Sequence, residues 1–178
     1  MNPKQPGPLA DTRVRKAIHL LIDRNRLQEV LAESVVRGEA GGLIYPMHAF
    51  AQTKEEIQKW PGFRQPKDAD LAEARKLLDE AGYVKGFELN LLTRKRAGDV
   101  ENATAVMDQL NKFGIAAKID VQETTTYFDI QEKGRYASSV NAFGMWSAEP
   151  HFGLAQRFKT GGGRNYEKTS DPRVDALH

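Results

Sequence analysis

Residues 71–92 read LAEARKLLDEAGYVKGFELNLL, and their reading decides the fold. Leu71, Ala74, Leu77, Leu78 and Ala81 recur at helical spacing, and Gly82 offers the left-handed residue that ends a helix. Gly86 then turns the chain. Phe87, Leu89 and Leu91 alternate in the manner of a half-buried strand. A helix stopped by glycine and followed at once by a strand is the opening of an alternating α/β series.

Working outward toward the C-terminus, the series continues. Strand 87–92 leads to a polar turn, and Asp99 is placed to cap a helix carrying Ala103, Val106, Met107 and Leu110. Gly114 ends it, and Ile115, Ala117, Ile119 and Val121 alternate as a second strand. Thr125 or Thr126 is placed to cap a helix through Phe128 and Ile130 that stops at Gly134. A third strand is expected over 138–143. Two successive strand-helix-strand units imply parallel strands joined by right-handed crossovers.

Toward the N-terminus the chain is helical. Asp11 can cap a helix reaching about Ile22, and Asp23 a second one carrying Leu27, Val30 and Leu31. Residues 34–52 have no period and read as loop. Thr53 with Glu56 forms a capping box, stopped near Trp60-Pro61-Gly62. Asp68 or Asp70 begins the helix of the opening stretch. Ser170 and Pro172 mark the start of a last helix that is cut off at His178. One domain over 1–178 is expected: a helical part to residue 86 with the loop 34–52, a βαβαβ core over 87–143, and a loop with a truncated helix over 144–178.

Composition narrows the function. The chain has 178 residues, 40% hydrophobic, enough for a single core. Its 26 basic and 24 acidic residues nearly balance, so no nucleic-acid surface is expected, and Arg94-Lys95-Arg96 reads as a solvated loop. With no cysteine, disulfides, thiolate metal sites and a thiol nucleophile are excluded. No apolar run reaches the ~18 residues of a membrane span. The start, MNPKQPGPLADT, lacks the regions of a signal peptide and reads as the inside of a longer protein.

An enzyme reading lacks parts. His19, His48, His151 and His178 share no metal-ligand spacing, and His19, between Ile18 and Leu20, reads as a hydrogen-bonded structural histidine. There is no nucleophile elbow, phosphate loop or dinucleotide fingerprint. Gly161-Gly162-Gly163 reads as a flexible connection, and Glu55-Glu56 as the favourable charge of a helix start. No catalytic residue, metal or cofactor is assigned. A hydrolase of α/β type fails for want of a nucleophile-base-acid set.

A binding reading has more to work with. Ligands of open parallel sheets collect beyond the carboxyl ends of the strands, here residues 93–98, 122–126 and 143–150. The last run, FGMWSAEP, puts two aromatics, a methionine and a carboxylate in one loop. The duller alternative keeps Phe143 as the last core residue of its strand and Trp146 as a plug on the surface. The candidate ligand-binding residues are Phe143 and Trp146 for apolar or stacking surface, Thr124, Asn141 and Ser147 for hydrogen bonds, and Glu149 or Arg94 as a charge partner.

Three runs carry a resemblance. Residues 11–18, DTRVRKAI, followed by Ile22-Asp23-Arg24, resemble a "D-x-R-V-R-x-A-I … I-D-R" pattern. Residues 74–83, ARKLLDEAGY, then Gly86-Phe87-Glu88-Leu89, are similar to "A-x-x-L-L-x-E-A-G-Y-x-x-G-F-E-L". Residues 169–177, TSDPRVDAL, resemble "S-N-P-x-x-D-A-L". The patterns are those of the extracytoplasmic solute-binding proteins of ABC importers, in the peptide, dipeptide and nickel class (family 5). The resemblance implies a two-lobed receptor of the type II periplasmic-binding-protein fold, of which this chain is most of the second lobe. It implies a small-molecule or peptide-like solute, the first lobe of the same protein and a membrane permease as partners, and a periplasmic or extracytoplasmic location. A sensor domain of a transcription regulator on the same fold is the alternative.

One departure bears on the solute. Peptide-binding relatives carry "A-G-W-x-A-D-Y-x-x-P", whose aspartate pairs with a peptide amino terminus. Aligned on Glu149-Pro150, Phe143 falls on the tryptophan and Trp146 on the aspartate. Thr124 falls where such proteins place a tryptophan. A buried ammonium needs an anion, and indole offers only a weaker cation–π contact, although Glu149 could substitute. The expectation is a receptor that does not read ordinary oligopeptides by their amino terminus.

Overall fold

The computed structural model describes residues 1–31, 44, 48–141 and 150–177. The two capped N-terminal helices are where the sequence places them. In α1 (Thr12–Leu21) the Asp11 carboxylate accepts from the Arg13 amide, and Val14, Ala17, Ile18 and Leu21 are buried on one face with Leu20. Asp23 accepts from the Asn25 and Arg26 amides at the head of α2 (Arg24–Leu31). Both halves of the capping box are made at α3 (Lys54–Ile57): Thr53 accepts from the Glu56 amide and Glu56 accepts from the Thr53 amide. Most of the loop 34–52 lies outside the described residues.

The opening stretch folds as its periods dictate. Helix α4 (Asp68–Glu80) buries Ala74 and Leu78 against α1, and β1 (Phe87–Arg94) follows the turn at Gly86. Gly86 has φ +77, and a Cβ there would lie 1.8 Å from the Gly114 carbonyl oxygen. The missing side chain of Gly86 thus lets the starts of adjacent strands approach, and Phe87 pairs in register with Ile115.

Helix α5 (Ala97–Asn111), β2 (Ile115–Gln122), α6 (Thr124–Glu132) and β3 (Ser138–Ser139) complete the α/β core. All three strands are parallel, in the order β2-β1-β3. Central position explains why β1 loses its alternation. Leu89 and Leu91 join the main core with Val106, Leu110, Ile115 and Ala117, while Leu92 faces a second cluster with Tyr127 and Tyr136. Leu89 and Leu91 are thus buried on one face of the sheet and Leu92 on the other, while Glu88 and Asn90 stay exposed, so only the C-terminal half of β1 is covered by helix layers on both sides.

Several local expectations are corrected. The third strand is two residues long rather than 138–143, the rest of that range beyond Asn141 lying outside the described residues. Asp99 is not a cap: Arg96 is, without a side-chain bond, and Asp99 sits in the first turn with its carboxylate turned to arginines. Glu123 rather than Thr125 or Thr126 precedes α6, and Lys67 rather than an aspartate precedes α4. Beyond the core, the range 144–178 holds a helix, α7 (Pro150–Phe158), that the sequence reading leaves as loop. The last helix, α8 (Pro172–Asp175), is capped by Asp171 instead of Ser170. Aspartates are common both at the cap and within the first turn, so a one- to three-residue shift is the natural error.

Candidate solute-binding site

A sheet of order 2-1-3 reverses direction between its first and third strands. The crossover through α5 covers one face and that through α6 the other, so a crevice opens between the loops leaving β1 and β3. Arg94 ends β1 and Asn141 lies two residues past β3, which puts them on the two sides of that reversal. Thr124 opens α6 immediately beyond β2 and is exposed. Backbone bonds hold the three loops together: the Lys95 amide donates to Gln122 O at 2.7 Å, and the Val140 amide to Leu92 O at 2.9 Å.

Tyr127 joins two of the expected residues. It is fully buried, the Asn141 amide donates to its hydroxyl, and the Arg94 guanidinium carbon lies 5.8 Å from its ring centroid. Burial holds the Tyr127 hydroxyl above the usual phenol range, so it is protonated at neutral pH. Phe128, 39% exposed, presents its ring to the same guanidinium at 5.7 Å. Two aromatic faces thus bracket one cation.

The Arg94 side chain is oriented from below. Its Nε and Nη2 both reach Asp99 Oδ2 at 2.8 Å, and Arg96 Nη2 reaches Oδ1 at 3.4 Å. Asp99 is fully buried, which makes this pair an anchor for the β1–α5 loop. Lys95, next along, is paired with Glu123 at 2.7 Å on the surface. Arg94 and Arg96 thus share the Asp99 carboxylate.

Phe143, Trp146, Ser147 and Glu149 lie outside the described residues. Of the seven expected residues, Arg94 and Asn141 come together through Tyr127, and Thr124 sits at the other end of the same helix turn. Sequence reasoning missed Asp99, Tyr127 and Phe128. A buried acid five residues after an arginine looks like a helix cap, and Tyr127-Phe128 looks like the apolar side of a helix. Among the described residues no cluster of three His, Cys, Asp or Glu converges to hold a metal ion.

Comparison with known proteins decides the family. The profile described as "Bacterial extracellular solute-binding proteins, family 5 Middle" matches residues 1–165. The chain belongs to that family. It is 31% identical over 144 residues to the glutathione-binding protein GsiB of Salmonella typhimurium, covering 79% of this chain and 26% of the relative. Against the periplasmic oligopeptide-binding protein OppA of Haemophilus influenzae it is 31% identical over 181 residues, covering 95% and 31%. Among solved structures it is similar to AppA from Clostridium difficile, with 28% identity, a TM-score of 0.74, and 96% and 34% of the two chains covered. The unliganded open form of the periplasmic murein tripeptide binding protein MppA gives 26% identity and a TM-score of 0.75, with 99% and 34% covered. The fold is that of type II periplasmic binding proteins. This family-5 chain spans about a quarter to a third of the length of the relatives it matches. Among its described residues no helix is long and apolar enough to cross a membrane.

Proposed function

We propose that the chain is the second lobe of a two-lobed extracytoplasmic receptor that binds a peptide-like solute without chemically altering it and delivers it to an ABC permease. The observation that carries this reading is the family match over residues 1–165. The parallel sheet supports it, because the loops after β1, β2 and β3 gather at one end, where an opposing lobe would close a cleft. In this reading Arg94 supplies a cation, Thr124 a hydroxyl and Asn141 an amide to the wall, and the loop with Phe143, Trp146, Ser147 and Glu149 completes it.

The test is calorimetry on the full-length protein with glutathione, trialanine and trialanine amide, followed by mass spectrometry of the ligand. Saturable binding of at least one of these, with the ligand recovered intact, is expected. Binding of none, or recovery of hydrolysed ligand, would overturn the reading. Arg94→Lys keeps a cation beside Asp99 but loses the planar fork and one of the two bonds to that buried carboxylate, so it is expected to weaken a carboxylate-bearing ligand by about 1–3 kcal/mol and to lower the thermal midpoint less than Arg94→Ala does.

A further inference from the structure

Away from the strand ends, His19 is wedged at the corner where α1 meets α2 and the segment 60–65. Its Nε2 lies 2.9 Å from Pro61 O, and Arg24 Nη2 lies 3.0 Å from its Nδ1. A carbonyl only accepts and a guanidinium only donates. The partners therefore dictate a neutral ring with its proton on Nε2 and a lone pair on Nδ1.

Arg24 is the keystone of the same corner. It donates to Gly62 O at 2.9 Å and to His19 O at 3.1 Å, and its guanidinium carbon stands 4.5 Å from the Phe63 ring centroid. The His19 ring meets Phe63 edge-on at 6.1 Å and fills the space a side chain on Gly62 would need. Gln65 reaches Asp23 at 3.1 Å, which ties the far end of the segment to the head of α2.

We propose that His19 is an acid-sensitive latch: protonation of its ring releases segment 60–65 from α1 and α2. A proton on Nδ1 would aim an N–H at the Arg24 N–H groups and set two cations in contact. Either Arg24 retreats, abandoning Gly62 O and the Phe63 face, or the imidazolium swings out and abandons Pro61 O. Both routes free the same backbone.

The surrounding charges do not rescue the imidazolium. Arg24 faces it from α2, and Lys67 and Asp70 from the start of α4. Asp70 is already engaged by Lys67 at 2.8 Å and Arg64 at 3.2 Å, and Asp23 lies beside Arg24. Burial, with the nearby Arg24 charge, holds His19 below the ordinary histidine range. An unfolded or opened chain then takes up the proton first, so the latch is fully closed above the ordinary histidine value and opens as pH falls through it. Arg24, Gly62, Phe63 and Gln65 also line a cleft of about 370 Å³, whose shape would change with the latch.

The experiment is hydrogen exchange on the whole chain at about pH 7.5 and pH 5.5, corrected for intrinsic rates. The reporters are the Gly62 and Phe63 amides, which donate to Asp70 and to Trp60 O. Their protection is expected to fall by roughly tenfold at the lower pH while that of β1 holds. His19→Gln keeps a donor and an acceptor but cannot titrate, so it should abolish the difference. Protection indifferent to pH in the parent, or an equal loss in His19→Gln, would overturn the latch. Should His19→Gln fail to fold, ring resonances of the parent decide: His19 must titrate with the same midpoint as the Gly62 and Phe63 amides, and separate midpoints would sink the proposal.

Discussion

Asp70→Ala is expected to destabilise the chain by about 3–5 kcal/mol, a large share of the total for a domain of this size. The reason is what the substitution strands. Asp70 is fully buried at the start of α4, where it accepts from the Gly62 amide at 2.9 Å and from Lys67 Nζ at 2.8 Å. Lys67 is itself only 9% exposed, and Arg64 stands 3.2 Å from the other carboxylate oxygen. Removing the carboxylate leaves a nearly buried ammonium without its anion and a buried amide without an acceptor. Asp70→Asn retains an acceptor for Gly62 and should lie between the parent and alanine. Urea denaturation of the three proteins measures the order, and a loss under about 1 kcal/mol for alanine would show that water replaces the carboxylate.

The second large effect is expected at the start of the sheet. Gly86→Ala should cost roughly 2–5 kcal/mol, because left-handed backbone strain adds to a collision that cannot relax cheaply. The added Cβ would meet the Gly114 carbonyl at 1.8 Å for oxygen and 2.6 Å for carbon, and both atoms belong to backbone that begins β2. Relief requires the two strand starts to separate, which breaks the Phe87–Ile115 register. Gly82→Ala is the control. Its φ is +82, yet nothing lies within 4 Å of the site, so it should show only the strain of about 1–2 kcal/mol. Equal losses in the two variants would mean the strand starts shift apart freely.

How far the structure could be read in advance differs between its two halves of information. Elements follow from near neighbours along the chain, so the helices at Asp11, Asp23 and Thr53, the glycine stop at Gly82 and the parallel βαβ order were all legible. Pairings across distance leave no period. Asp99 reads as a cap because its arginine partners sit before it in a loop, and only the folded chain shows Arg94 turned back upon it. The Asp70 cluster likewise joins residues 62, 64, 67 and 70 through a bend that no spacing announces. Helix α7 was hidden for another reason: Pro150, His151 and Gly153 have poor helix propensity, and nothing in the run repeats on one face clearly enough to offset that. At the strand ends the sequence offered candidates, and the geometry shows which of the described ones are already engaged. Arg94 and Asn141 both have partners, and Phe128 adds a ring that periodicity had assigned to packing.

The outermost strand has a colloidal consequence. Among the described residues no strand pairs with the outer side of β2, although the Asn111 side chain accepts from the Ala117 amide at 2.9 Å, so the remaining peptide groups form a template on which a second molecule could stack and seed lateral growth. Lys118 and Asp120 project into solvent along that strand and the run between them is short. Opposite charges two residues apart tolerate one another within a molecule, but a parallel in-register copy would set lysine on lysine and aspartate on aspartate. Resistance of this edge to lateral growth thus rests in part on two charged side chains, one of which, Lys118, also reaches Glu88 of β1 at 3.3 Å.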